Sequence, residues 1–209
     1  MNVAIIGATG NVGRRILQEA LSRGHEVTAC VRHLASLPFS HEHLRGVSFD
    51  ILDTEDVATK LTGFDAVITA YGPGFTNVRQ LVDATSSLIA GSKRAAVPHL
   101  VAVGGAGSLE IAPGVALLTV LPDEWKGIAQ AHADSLALYK AEAELLWSYC
   151  SPAAYIEPGE RTGTFRTGSN TLLTDSEGNS RVSMEDYAIA IVDEVEQKMH
   201  VHQQFCVAY

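Results

Sequence analysis

Three shortages narrow the reading of this chain before any motif is considered. Cysteine occurs only three times in 209 residues, at Cys30, Cys150 and Cys206. An odd count without a repeated spacing gives neither a disulfide framework nor a zinc ligand set. Each cysteine lies in or beside an apolar, strand-like run, as buried free thiols do. Positive charge is also scarce: 15 Lys and Arg against 24 Asp and Glu leave a formal net charge of −9. Binding to duplex DNA or RNA calls for a basic patch, and the basic pairs Arg14-Arg15 and Lys93-Arg94 fall in helical patterns as solvated faces, so no nucleic-acid partner is expected. Finally, no apolar run approaches the roughly 18 residues that cross a bilayer, and the first residues lack the charged segment of a secretory leader. No membrane partner is expected, and a reducing cytoplasm is the expected setting.

What the chain does have is alternation. Strand-like apolar runs at 2–6, 26–31, 47–49, 66–70, 99–103, 153–156 and 204–208 are separated by helical patterns near 11–22, 54–61, 77–96, 130–147 and 184–197. Nearly all-apolar strands at this spacing predict an α/β chain: one Rossmann-like, doubly wound parallel sheet of about seven strands over residues 1–209, with helices on both faces. Two stretches break the alternation, 108–127 and 157–181, the second reading as an irregular start and then a hairpin turning near 176–179. Both follow C-terminal ends of strands, the edge where ligands bind in such sheets. They are the expected substrate walls.

The first unit carries "IIGATGNVG", so that Gly7, Gly10 and Gly13 fall between a strand and a helix. This is where a backbone must bend sharply (Gly7), approach a pyrophosphate without a Cβ in the way (Gly10) and let helix and sheet pack closely (Gly13). Amides of the first helical turn then meet a dianion, with the helix dipole aiding, and Thr9, Asn11 and Val12 lie beside it. No Gly-Lys-Ser/Thr follows, which excludes a P-loop. A dinucleotide is the expected ligand. An NAD site places an acid at the end of the second strand. Here the strand ends in Arg32, and Glu26 starts it, roughly 16 Å from the right edge at about 3.3 Å per residue. Arg32 can face a 2′-phosphate in a charge-assisted contact, so NADP(H) is preferred and NAD(H) remains possible. Asp50 and Ile51 follow the third strand, and Asp50 either contacts the adenine amino group or caps a turn. Ala70, Tyr71 and Gly72 follow the fourth strand, and Gly104 the fifth; Ser151 and Pro152 begin or precede the sixth. All are expected along the cofactor.

No tyrosine here is followed four residues later by lysine; Tyr139-Lys140 are adjacent and point about 100° apart on a helix. A tuned acid for carbonyl reduction is therefore not expected. An acceptor such as a flavin or quinone, drawing its proton from water, suits the chain better, with the protein supplying orientation and a dry slot. Ser108 and His132 are the catalytic candidates; Ser108 can equally cap a turn.

Taken together, "IIGATGNVG", "AYGPG", "VGGAGSLE", "SPAAYIEPGERTG", "LLTDSEGNSR" and "EDYAIAIVDE" make the chain resemble, nearly end to end, the bacterial NADH-flavin reductase-like family in the biliverdin reductase B-like branch of atypical short-chain dehydrogenases. The resemblance implies a Rossmann-like fold with NAD(P) contacts at Gly7, Thr9, Gly10, Asn11, Val12, Gly13, Arg32, Asp50 and the Tyr71–Gly72 turn. The alternative is a non-catalytic sensor of NADP(H) similar to the NmrA-like regulators.

Of the remaining residues, His33, His41, His43, His200 and His202 read as exposed loop histidines, and no metal is expected. Residues 157–161 either close over the cofactor or form a salt-bridged turn. Trp125 and Phe165, on the two insertions, either stack on a planar ring or pack as core.

Overall fold

In the computed structural model, which describes residues 1–37 and 40–209, the chain runs β1 (Asn2–Ile6), α1 (Asn11–Ser22), β2 (Glu26–Val31), β3 (Leu44–Ser48), α2 (Thr54–Lys60), β4 (Ala66–Thr69), α3 (Gln80–Arg94), β5 (Leu100–Val103), β6 (Glu110–Ala112), β7 (Val115–Ala116), α4 (Asp123–Ala141), β8 (Trp147–Pro152), β9 (Tyr155–Glu157), β10 (Arg166–Gly168), β11 (Arg181–Ser183), α5 (Met184–Gln197) and β12 (Gln203–Ala208). The central sheet has the order β10-β12-β8-β5-β4-β1-β2-β3. Seven of these strands are parallel, and β10 closes the edge antiparallel to β12.

Strand periodicity builds the two layers. On β1, Val3 and Ile5 pack into one core with Ile16 and Leu17 of α1 and Tyr187 and Ile191 of α5. Ala4 and Ile6, pointing the other way, join Val57 of α2, Leu88 of α3 and Tyr139 of α4. The strand order reverses between β1 and β4, so loops after these two strands diverge and leave a crevice at the sheet's C-terminal edge.

Several elements depart from the sequence reading. The third strand covers 44–48 rather than 47–49, because hydrogen bonding to β2, from Val27↔Leu44 to Val31↔Ser48, recruits a half-polar edge segment. The sixth parallel strand is β8, Trp147–Pro152, not 153–156. Its serines disguised it: Ser148 donates to Glu194 at 2.7 Å and Ser151 accepts from Gln204 Nε2 at 3.0 Å, so a strand buried along its whole length carries satisfied polar groups. Helix α4 starts at Asp123, seven residues before the expected 130, and ends at Ala141, after which the Glu142 carboxylate accepts from the amides of Glu144 and Leu145 at 2.6 and 3.1 Å. The turn expected at 176–179 forms around Asp175, which accepts from the amides of Glu177 and Asn179, but it joins no hairpin. β10 pairs with β12 and β11 pairs parallel to β9.

Candidate functional site

The crevice is an open cleft of about 490 Å³ lined from β1, β2 and β5, the loops that follow β1 to β5, and helices α1, α3 and α4. At its centre is the glycine bend. Gly7 has φ +79°, and a Cβ there would stand 2.5 Å from the Ala70 carbonyl oxygen; one on Gly13 would stand 2.1 Å from the Gly7 oxygen. Both glycines are thus demanded by the fold itself. Gly10 differs: a Cβ there would meet only the Gly7 oxygen, at 3.4 Å, and its φ of −74° suits any residue. The space beside Gly10 is left open by the protein. The helix behind it is open too. Gly10, the N-cap of α1, offers no side-chain cap, whereas Asp53 caps α2 and Ser183 caps α5 through amides of their first turns. Uncapped amides, a positive dipole end and a Cβ-free approach fit the pyrophosphate of a dinucleotide.

One end of the cleft is formed by Arg32, Asp50, Ile51 and Leu52. Arg32 is exposed and makes no ion pair among the described residues. Asp50 Oδ1 accepts from the Leu52 amide at 3.0 Å, shaping this rim as a turn. Glu26 lies at the opposite edge of the sheet, paired at 2.7 Å with His43. The other end is formed by Gly104, Ile128 and His132, with Tyr71 between the two, near Arg32 and Asp50. The Tyr71 hydroxyl donates to Gln80 at 2.9 Å, and burial raises its pKa, with Arg32 opposing. Burial pushes the His132 imidazole down to about 4. The Tyr149 hydroxyl donates to the His132 carbonyl at 3.0 Å and lies 3.3 Å from Nδ1. With its proton spent on the carbonyl, that oxygen accepts from Nδ1–H, which leaves Nε2 as an acceptor nitrogen.

Gly7, Thr9, Gly10, Asn11, Val12, Arg32, Asp50, Ile51, Ala70, Tyr71, Gly72, Gly104 and His132 therefore share one cleft. Four other candidates lie off its wall. Gly13 packs behind the loop. Ser108 Oγ accepts from Gln204 Nε2 at 2.9 Å, and Ser151 is buried on the same amide; Pro152 is buried beside it. The 157–161 segment is pinned along α1 and α5: Arg161 makes two 2.8 Å bonds to Glu19, and the Gly159 amide donates to Glu185 at 2.8 Å. Phe165 packs against the core under those helices. Sequence reasoning missed Phe49, Phe75, Gln80 and Ile128 as lining residues. Phe49 adjoins Asp50 and was within reach; the others come from segments that only the topology brings together.

Among the described residues no helix is long and apolar enough to cross a membrane. The model of a family described as NAD(P)H-binding matches residues 7–198. Three solved structures are similar along the whole chain: a candidate exported protein of Burkholderia pseudomallei (42% identity, TM-score 0.92, 100% of both chains); a candidate epimerase of Bacteroides thetaiotaomicron (38%, 0.94, 100% of this chain and 96% of that one); and a candidate NADH-flavin reductase of Streptococcus pneumoniae (32%, 0.87, 100% and 99%).

Proposed function

The chain belongs to the NAD(P)H-binding family, and from that premise we propose that it is an NADPH-dependent reductase passing hydride to a flavin-like or quinone-like planar acceptor. One observation carries this reading. The lining leads from Arg32, which makes no ion pair among the described residues, past the open amides at Gly10, to an inner end where the His132 imidazole stands neutral. Arg32 and the α1 amides bind the two phosphate-bearing parts of the cofactor. Gly72, Gly104 and Ile128 orient its reactive end, and no lysine stands among the lining residues. Neutral His132 accepts a hydrogen bond through Nε2 and releases no proton near neutrality. The cofactor, when bound, supplies hydride. NADPH, a proton from water and the oxidised acceptor thus become NADP+ and the two-electron-reduced acceptor, a reaction that needs positioning more than acid catalysis. The three buried free thiols suit the reducing cytoplasm, where we place the activity. Oxidation of NADPH in the presence of FMN, riboflavin or small quinones tests the proposal. A rate above the enzyme-free control with one of them is expected; equality with that control for all of them overturns it.

A further inference from the structure

Resting on that reading, we propose that Phe75 and Trp125 form the acceptor subsite, an aromatic platform at the mouth of the cleft that takes a planar fused-ring heterocycle or quinone against the Trp125 indole.

Tyr139, Tyr149, Tyr187, Trp147 and Phe205 are at most 2% exposed, whereas Phe75, Trp125, Tyr155 and Tyr209 lie open to solvent. Phe75 and Trp125 stand apart from the other exposed rings as a pair. They are 64% and 48% exposed yet held against each other, with centroids 5.3 Å apart and planes at 79°, edge to face. This geometry satisfies the ring quadrupoles between the two while leaving much of each ring in water. The indole N–H is already committed to Glu124 Oε1 at 3.1 Å, so what the exposed indole offers a ligand is apolar face.

The platform is continuous with the site. Phe75 sits in the loop after β4 and lines the cleft directly. Trp125 opens α4 and is followed three and seven residues later by Ile128 and His132, both on the cleft wall. That spacing puts all three on one helix face. The stripe carries the wall outward from the inner end of the cleft to the exposed indole. A flat acceptor lying along it covers two exposed rings at once and has its reactive edge near His132.

The test is FMN binding to the NADP+ complex, read by tryptophan quenching and flavin titration. Trp147 is 2% exposed and the chain has two tryptophans, so the quenching reports Trp125. Trp125→Ala and Phe75→Ala should each raise the Kd for FMN, by about tenfold for Trp125. Trp125→Phe should restore most of the affinity, and the Kd for NADPH should stay within about twofold in the Trp125 variants. Unchanged FMN affinity in both alanine variants overturns the subsite. So does equal weakening of NADPH and FMN, a wild-type complex that binds no FMN, or a change confined to self-association, which would mark the patch as a contact between copies. FMN binding that depends on Trp125 without any NADPH oxidation would refute the proposed reaction and leave the subsite standing. Turnover with Trp125-independent FMN affinity would do the reverse.

Discussion

The three glycines of the first loop make separable demands, and alanine at each position should reveal them. At Gly13 a Cβ would lie 2.1 Å from the Gly7 oxygen and 2.8 Å from its carbon, so α1 must move off β1. Overpacking against backbone costs about 3 kcal/mol or more, which in a chain of this size lowers the melting temperature by roughly 10 °C. Gly7→Ala adds a left-handed residue to a 2.5 Å clash with the Ala70 oxygen and should be at least as severe. Gly10→Ala should behave otherwise. Its φ of −74° and ψ of 171° are open to alanine, and the nearest atom lies at 3.4 Å. The weaker N-cap preference of alanine and the stiffer unfolded chain each amount to about 0.5–1 kcal/mol and oppose one another. The melting temperature should stay within about 2 °C. The new methyl occupies the space we assign to the pyrophosphate, and losing one or two charge-assisted amide contacts costs about 3 kcal/mol, or roughly a hundredfold in Kd for NADPH. Thermal unfolding and NADPH titration of the three variants decide the matter. A Gly10→Ala protein that binds NADPH like wild type, or that melts like Gly13→Ala, refutes the reasoning.

Further outcomes follow from other residues. Arg32→Ala should raise the Kd for NADPH about tenfold or more and leave that for NADH unchanged; equal losses for both cofactors would remove the 2′-phosphate contact. With the His132 pKa pushed down to about 4 by burial, the kcat profile should show no His132 inflection between about pH 6 and 8; an inflection there that disappears in His132→Gln would contradict the neutral imidazole. Arg161, first among the causes, and Arg23 hold the Glu19 carboxyl below its usual 4.5. Its contribution to stability is therefore present above pH 4.5 and is lost as pH falls through the lower folded value. Arg161→Met should move the acid unfolding midpoint to higher pH, and an unmoved midpoint would show that the 157–161 segment is not anchored by this pair.

Legibility followed how locally each feature is encoded. β1, α1 and α5 could be placed from their own residues, since apolar periodicity and the glycine spacing act within one element. β8 could not, because Ser148 and Ser151 look exposed until Glu194 and Gln204 arrive from α5 and β12. The start of α4 carried a signal that the apolar pattern overrode: Pro122 before Asp123 and Glu124 is a helix opening. Missing it separated Trp125 and Ile128 from His132 and hid the stripe that runs from the inner end of the cleft to its mouth. The site divided the same way. Gly10 and Arg32 were readable because strand ends and glycine loops carry their own geometry. Phe75, Gln80 and Ile128 meet the cleft only once β1 and β4 diverge at the switch point.

Single-turnover mixing of the NADPH complex with FMN tests the central claim most directly. Loss of NADPH absorbance and bleaching of the flavin should coincide in one phase whose rate saturates with FMN, and that phase should vanish in Gly10→Ala. A protein that binds NADPH by titration yet accelerates neither signal over the enzyme-free mixture, with FMN or with riboflavin or small quinones in its place, would contradict the account, and would leave this chain a holder of NADP(H) rather than a reductase.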